Sequence, residues 1–400
     1  MPLFKYHGNK GDNHKSGSIT AISEKAAKDK LEHDGFSSIT LASLQSKASI
    51  FDHIFNRVSL VQKLFFTQNL EVMVRTGFSL SLALETMSQQ VKGKRFKQVI
   101  EEVTEDVKSG KTFSSSLEKH ADIFSEIFVS MIAAGEASGK LDEVLKRLSI
   151  QLKKDHQLIA KVKNALTYPI IVLISMVGIG IAVTIFVIPN LVTVFTESKV
   201  ELPLLTKILI GFSDLLINYG YILAVVVVLL AIVFVRLLKN PKVHRSIDKL
   251  TLVTPIAGTI IKKINLARFT RTLSSLLETD IHIVESFQII SKTMSNSLYR
   301  TTMEKAAEEL KTGSTISKVL SKQPKLFPPL LLQMVSVGEK SGSLDSISAE
   351  IAIFYEEEVD NTMSNLSTIV EPVLMLLLGG AVGLMAVAII MPIYSLSDAI

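Results

Sequence analysis

The chain spells out one helical unit twice, in register, and each copy ends in a run apolar enough to cross a lipid bilayer. Phe66, Thr67, Leu70, Thr76, Glu101, Gly110, Phe124, Met131, Gly135, Glu136, Ser138, Gly139, Leu141, Asp142, Pro169, Gly180 and Pro189 return as Phe269, Thr270, Leu273, Thr279, Glu304, Gly313, Phe327, Met334, Gly338, Glu339, Ser341, Gly342, Leu344, Asp345, Pro372, Gly383 and Pro392, at a constant shift of 203 residues. Solenoid repeats are roughly 20 to 50 residues long, so a copy of this length is a whole domain carrying its own anchor.

Apolar residues make up 48% of the sequence and the mean hydropathy is +0.37, more than a soluble two-domain protein needs. Three uncharged runs supply the excess: Ile170 to Ile188, Tyr219 to Val235 and Val373 to Ile393. At about 1.5 Å per residue, roughly 20 helical residues cross a hydrocarbon core of about 30 Å. The first and third runs suffice. The second is short unless Ile208 to Ile217 adds to it across Asp214.

The first twenty residues have no apolar core of a signal peptide, so the N-terminus is expected to stay in the cytoplasm. Lys153, Lys154, Lys161 and Lys163 precede the first span, and Arg236, Lys239, Lys242 and Arg245 follow the second; Lys199 and Lys207 between them are outnumbered by Glu197, Glu201 and Asp214. Lys and Arg mark the cytoplasmic side, so both bundles face inward and the short C-terminal tail lies outside. The net charge is only +5, and anionic lipid is a simpler partner for these juxtamembrane cations than nucleic acid. The absence of cysteine removes disulfides, thiol catalysis and thiolate metal sites together.

Near the N-terminus, Phe4 to Gly8 and Gly17 to Ser23 read as strands, Glu24 to His33 as a helix stopped by Gly35, and Gln45 to Asn56 as a linker. Beyond it the pattern is helical. Phe96, Val99, Ile100, Val103 and Val107 form one buried stripe closed by Gly110, answered by Tyr299, Thr302, Met303, Ala306, Leu310 and Gly313. Leu141, Val144, Leu145, Leu148 and Leu152 form another, answered by Leu344, Ile347, Ile351 and Tyr355. No breaker follows Lys140 before Pro169, so the last bundle helix is expected to lead directly into the membrane as a lever.

No constellation supports catalysis, a cofactor or a metal centre. Gly135 to Leu141 is one residue short of a phosphate loop, and Ser109-Gly110-Lys111-Thr112 has Glu105 in place of the first glycine. The most faithfully repeated segment is Gly135, Glu136, Ser138, Gly139, Leu141 and Asp142, returning as Gly338, Glu339, Ser341, Gly342, Leu344 and Asp345. Its glycines suit a tight helix-helix corner and its serine and carboxylates suit helix-end capping. The competing readings are a partner contact through Glu136 and Glu339, or a cation site built from Glu136, Asp142, Glu339 and Asp345, which needs several oxygens to converge. Glu371-Pro372 suits a helix start at the third span, with Glu371 alternatively serving a function at the membrane. Gly379 and Gly383, and more weakly Gly178 and Ala182, suit close helix packing within the chain or between copies.

Phe66-Thr67-x-x-Leu70 with Gly77 and Leu80, the Gly-Glu-x-Ser-Gly-x-Leu segment, Lys161 to Pro169 and Glu371 to Leu396 together resemble the type II secretion F and type IV pilus inner-membrane platform family. The N-terminal Phe4-Lys5-Tyr6 start resembles its longer members. Asp280 departs from the pattern, standing where the first copy has Gly77. The resemblance implies a non-enzymatic, multi-pass inner-membrane scaffold that couples a cytoplasmic hexameric assembly ATPase to pilin or pseudopilin subunits joining a fibre. It also implies other inner-membrane assembly components and a homo-oligomer as partners. The alternative is a small transporter, for which three spans without an ionisable group at their middle are poorly suited.

The fold expected is an all-α membrane protein with two homologous cytoplasmic helical bundles and a small mixed N-terminal unit. That unit and its linker take residues 1–56, the bundles 57–167 and 239–370, the spans 168–189, 218–238 and 371–393, the outer loop 190–217 and the tail 394–400.

Overall fold

A computed structural model describes residues 3–10, 13–20, 24–33, 35–43, 58–190, 204–238 and 240–397. The expected linker Gln45 to Asn56 lies outside these residues, as do Lys239 and, in the expected outer loop, Glu197, Lys199 and Glu201.

In the N-terminal unit, β1 (Leu3–Lys10) pairs antiparallel with β2 (Asn13–Thr20) on one edge and β3 (Ser37–Ser43) on the other. Helix α1 (Glu24–His33) buries Leu31, and Gly35, at φ 82°, turns the chain into β3. Tyr6 meets Phe36 edge-on at 5.2 Å. The third strand was not expected. Its signal is the alternation Ile39, Leu41 against Ser38, Thr40 and Ala42.

The helical region repeats with the same register as the sequence. The first copy comprises α2 (Leu60–Arg75), α3 (Leu80–Gln90), α4 (Lys94–Lys108), α5 (Phe113–Glu118), α6 (Glu126–Ser138) and α7 (Leu141–Phe186). After α8 (Leu204–Leu238) and α9 (Pro241–Val253), the second copy follows as α10 (Pro255–Leu277), α11 (Ile283–Thr293), α12 (Ser297–Lys311), α13 (Ile316–Ser321), α14 (Pro329–Ser341) and α15 (Leu344–Ser397). Every boundary from α3 to the start of α7 recurs 203 residues later in α11 to α15, so the copies are one supersecondary plan executed twice.

The cores repeat where the sequences do. Phe66 and Phe124 lie 6.2 Å apart, and their counterparts Phe269 and Phe327 lie 5.9 Å apart. All four rings are sealed from solvent, each burial being worth about 1.5–3 kcal/mol. Tyr299 completes the second cluster at 5.6 Å from Phe327 and donates its hydroxyl to the Leu326 carbonyl, so its one polar atom is satisfied. Beside the rings, the buried Thr67 and Thr270 hydroxyls donate to the carbonyls of Lys63 and Leu266, one turn earlier. The departure at Asp280 changes the residue and keeps the turn. Asp280 adopts φ 60° where Gly77 adopts φ 90°, with matching bonds from Phe78 N to Met73 O and from Ile281 N to Leu276 O.

Three helices among the described residues are long and apolar enough to cross a membrane, and their apolar stretches are almost entirely uncovered by protein. Two of them, α7 and α15, are also bundle helices. With 46 and 54 residues they extend about 70 and 80 Å, more than twice a hydrocarbon core of about 30 Å. Glu371-Pro372 is therefore not a helix start, because α15 runs through it just as α7 runs through Pro169. Each proline removes one backbone donor, and strongly apolar helix on its membrane side carries the α conformation through. Helix α8 begins at Leu204, inside the expected outer loop, so Ile208 to Ile217 is helix continuous with the second apolar run, with Asp214 exposed on it.

Candidate functional site

The repeated glycine-glutamate segment forms the corner between α6 and α7, and between α14 and α15. Gly139 and Gly342 take φ 71° and 70° and end their helices, a left-handed conformation that side chains resist. Gly135 and Gly338 serve close approach. A Cβ on Gly135 would stand 2.9 Å from Val144 Cγ2, and one on Gly338 would stand 3.2 Å from Ile347 Cβ.

The glutamates turn away from the corner and cap a neighbouring short helix. Glu136 Oε1 accepts from the backbone N–H of Phe113 at 2.5 Å, while Oε2 accepts from Ser114 N at 2.9 Å and Ser114 Oγ at 2.5 Å. Thr112 accepts from Ser115 N through its hydroxyl, so the free donors of the first three residues of α5 are all engaged. Glu339 repeats the arrangement on α13, accepting from Ile316 N, from Ser317 N at 3.0 Å and from Ser317 Oγ at 2.7 Å. A carboxylate at a helix N-terminus gains from both charged hydrogen bonds and the helix dipole.

The serines behave differently from the capping expected of them: Ser138 donates back to Ala134 O and Ser341 to Val337 O, each 2.8 Å away on its own helix. Asp142 and Asp345 occupy the first turns of α7 and α15. No three acids or histidines converge among the described residues, so Glu136, Asp142, Glu339 and Asp345 are not brought together. Gly178, Gly379 and Gly383 have no neighbour within 4 Å of a built Cβ. Packing within the chain uses other residues: Ser213 Oγ donates to Thr184 O at 2.6 Å and Thr206 Oγ1 to Ala388 O at 2.9 Å, tying α8 to both other spans.

A second constellation, unforeseen from the sequence, joins the two copies. Helix α7 runs antiparallel to α10, with Arg147 paired to Glu278, Gln151 bonded to Thr272 and Ser275, and Asp155 3.3 Å from Arg268 Nε. It runs parallel to α15, with Lys154 Nζ 2.8 Å from Glu356 Oε2 and Lys161 paired to Asp360. Glu356 is 7% exposed and its other oxygen takes Arg271 Nε at 2.8 Å. Two of the four lysines before the first span are thus engaged by carboxylates of the second copy, and Lys153 and Lys163 stay exposed. A sequence signal existed: Arg147, Lys153 and Lys154 correspond under the shift of 203 to Glu350, Glu356 and Glu357. The copies carry opposite charge on the same helix.

A cleft of about 740 Å³ opens between the copies beside the capped α5. Ser114, Glu118 and Glu126 line it from the first copy and Asp280, Glu285 and Lys292 from the second, with Lys292 Nζ bridging to Glu126 at 2.6 Å.

The model of the family described as type II secretion system, protein F, matches this chain twice, over residues 66–189 and 269–392. Among curated proteins, the type IV pilus assembly protein PilC of Thermus thermophilus is 35% identical over 83% of this chain and 81% of its own length. PilC of Myxococcus xanthus is 33% identical over 84% and 81%. The type II secretion system protein F of Vibrio cholerae is 30% identical over 96% of both chains.

Proposed function

The chain belongs to the type II secretion system protein F family, and we propose that it is the inner-membrane platform of a type IV pilus or type II secretion machine. In this reading it couples a cytoplasmic assembly ATPase to pilin or pseudopilin subunits entering a growing fibre. The observation that carries the proposal is the continuity of α7 and α15: one helix is at once a packed wall of a bundle and a membrane span. Movement imposed on a bundle reaches the membrane without passing through a loop.

Both bundles face the cytoplasm and the C-terminus lies outside, as the distribution of Lys and Arg favours. The chain carries out no reaction of its own. In support, Lys111 of the nearest phosphate-loop lookalike is committed to Asp106, and Thr112 to capping α5. A homo-oligomer is part of the proposal, the open faces of Gly379 and Gly383 suiting contact between copies. A transporter is not favoured, since the relatives are pilus assembly and secretion proteins.

The test is genetic and mechanical. Deleting the chain in its own organism abolishes fibre assembly or secretion, and the wild-type chain restores it. A variant with two glycines inserted after Asn164, which interrupts α7 between bundle and span, reaches the membrane and fails to restore it. Normal assembly in the deletion strain, or full restoration by the interrupted variant, would sink the proposal.

A further inference from the structure

We propose that α9 lies on the cytoplasmic leaflet as a membrane-surface helix, and that the basic pocket between α9 and α12 takes the phosphate of an anionic bilayer lipid. This rests on the membrane reading above and on nothing about the machine served.

Both ends of α9 lie at bilayer level. Its N-terminus follows the second span directly: Arg236 ends the apolar run, α8 stops at Leu238, and Asn240 caps α9 with Pro241 behind it. Its C-terminus meets α10 at a bend of 106°. The antiparallel register that sets Gln151 against Thr272 and Asp155 against Arg268, continued along α7 and α10, brings Ile256 level with residues 167–168, where the first span begins. A helix of 13 residues, about 20 Å long, with both ends at the interface lies along it.

Its exposed face has the composition this requires. Lys242, Arg245, Lys249 and Val253 recur at i, i+3, i+7 and i+11 and share one side. Leu250 and Val253 are 66% and 80% exposed, and Ile256, just past the bend on α10, is 60% exposed, a cost in water that vanishes at the headgroup boundary. The adjoining side is fixed to the bundle, where Leu252 is buried and Asp248 accepts from Ser297 N at 2.8 Å and so caps α12.

Between α9 and α12 is a pocket of about 180 Å³. Arg245, Lys249 and Lys305 line it with no carboxylate partner among the described residues, whereas Lys322, also on its wall, is held by Glu309 at 2.6 Å. Three uncompensated cations in a concavity beside a bilayer suit a phosphodiester.

The full chain lacks cysteine, so single labels at Val253 and at the exposed Leu82 of α3 can be compared in nanodiscs of phosphatidylcholine with and without phosphatidylglycerol. The Val253 label is quenched by headgroup spin labels and shielded from aqueous iodide, while the Leu82 label behaves oppositely. At about fivefold per cation, the variant Arg245→Ala/Lys249→Ala lowers the preference for spin-labelled phosphatidylglycerol over phosphatidylcholine by about twenty-five-fold. Equal iodide access at both labels overturns the placement of α9. An unchanged lipid preference in the double variant, or its loss on adding inorganic phosphate, overturns the lipid pocket.

Discussion

Lys154 and Glu356 stand one residue away from being equivalent positions in the two copies, yet they face each other across the junction with Nζ 2.8 Å from Oε2. Helices α7 and α15 therefore cross where each presents the same segment. Had the copies stayed identical there, like charges would meet. Divergence to basic in one and acidic in the other turns a repulsive crossing into an attractive one and specifies that first pairs with second.

Replacing Glu356 by alanine leaves the Arg271 guanidinium without its carboxylate in a nearly closed site, and is expected to destabilise the folded chain by about 3 kcal/mol. Lys154→Ala costs less, about 1 kcal/mol or under, because its side chain remains 39% exposed. Chemical denaturation of both single variants and the double variant in detergent gives the coupling energy; additive losses would show that the pair does not interact.

Glu136→Gln and Glu339→Gln each remove charge from a helix cap and replace one acceptor oxygen by a donor. A loss of about 1–2 kcal/mol is expected per site, and near additivity, since each acts on its own short helix. Hydrogen exchange should quicken at the amides of Phe113 and Ser114 in the first variant and of Ile316 and Ser317 in the second. Unaltered exchange at those amides would contradict the capping role.

Asp280 holds a left-handed backbone without being glycine. Asp280→Gly should raise stability by about 0.5–1 kcal/mol, the relieved strain exceeding the entropy glycine adds to the unfolded chain. Asp280→Val should lower it, because a β-branched residue disfavours positive φ. Thermal midpoints moving in the same direction for both would show that backbone conformation is not what decides.

Asp106 receives Lys111 Nζ at 2.6 Å and also Lys119, and these hydrogen bonds hold its carboxyl below the usual range. A carboxyl with a depressed folded pKa binds its proton more readily when unfolded. Its contribution is complete above the ordinary carboxylate pKa and disappears as pH falls through the folded one. The stability difference between wild type and Asp106→Asn should thus be present at neutral pH and close in acid. A difference independent of pH would mean that packing is responsible.

The helical plan was legible because duplication supplied an internal check: the stripe through Val99, Ile100 and Val103 had to agree with Tyr299, Met303 and Ala306, and the structure buries both. The proline at position 372 misled. A helix rule for Pro372 says start, while the surrounding apolar sequence keeps the helix running, and only the tertiary context decides between them. At the corner, glycine identity pointed to close approach, but the destination of Glu136 was hidden, because a side chain bonding residues 22 and 23 positions earlier has no local signature. The junction between copies was readable in principle. It needed the two α7-like segments compared for sign of charge as well as for likeness.

The contact at Gly135 has a consequence at the opposite surface of the bilayer. Helix α7 starts six residues after Gly135 and extends about 70 Å from that corner. An angular change of about 3° there sweeps the outer tip sideways by about 4 Å over such a length. A methyl group added at Gly135 must push Val144 aside, at the root of that rod. Any tilt this corner imparted to α7, against the ties at Arg147, Gln151 and Asp155, would grow along the rod into a displacement comparable to the spacing between packed side chains.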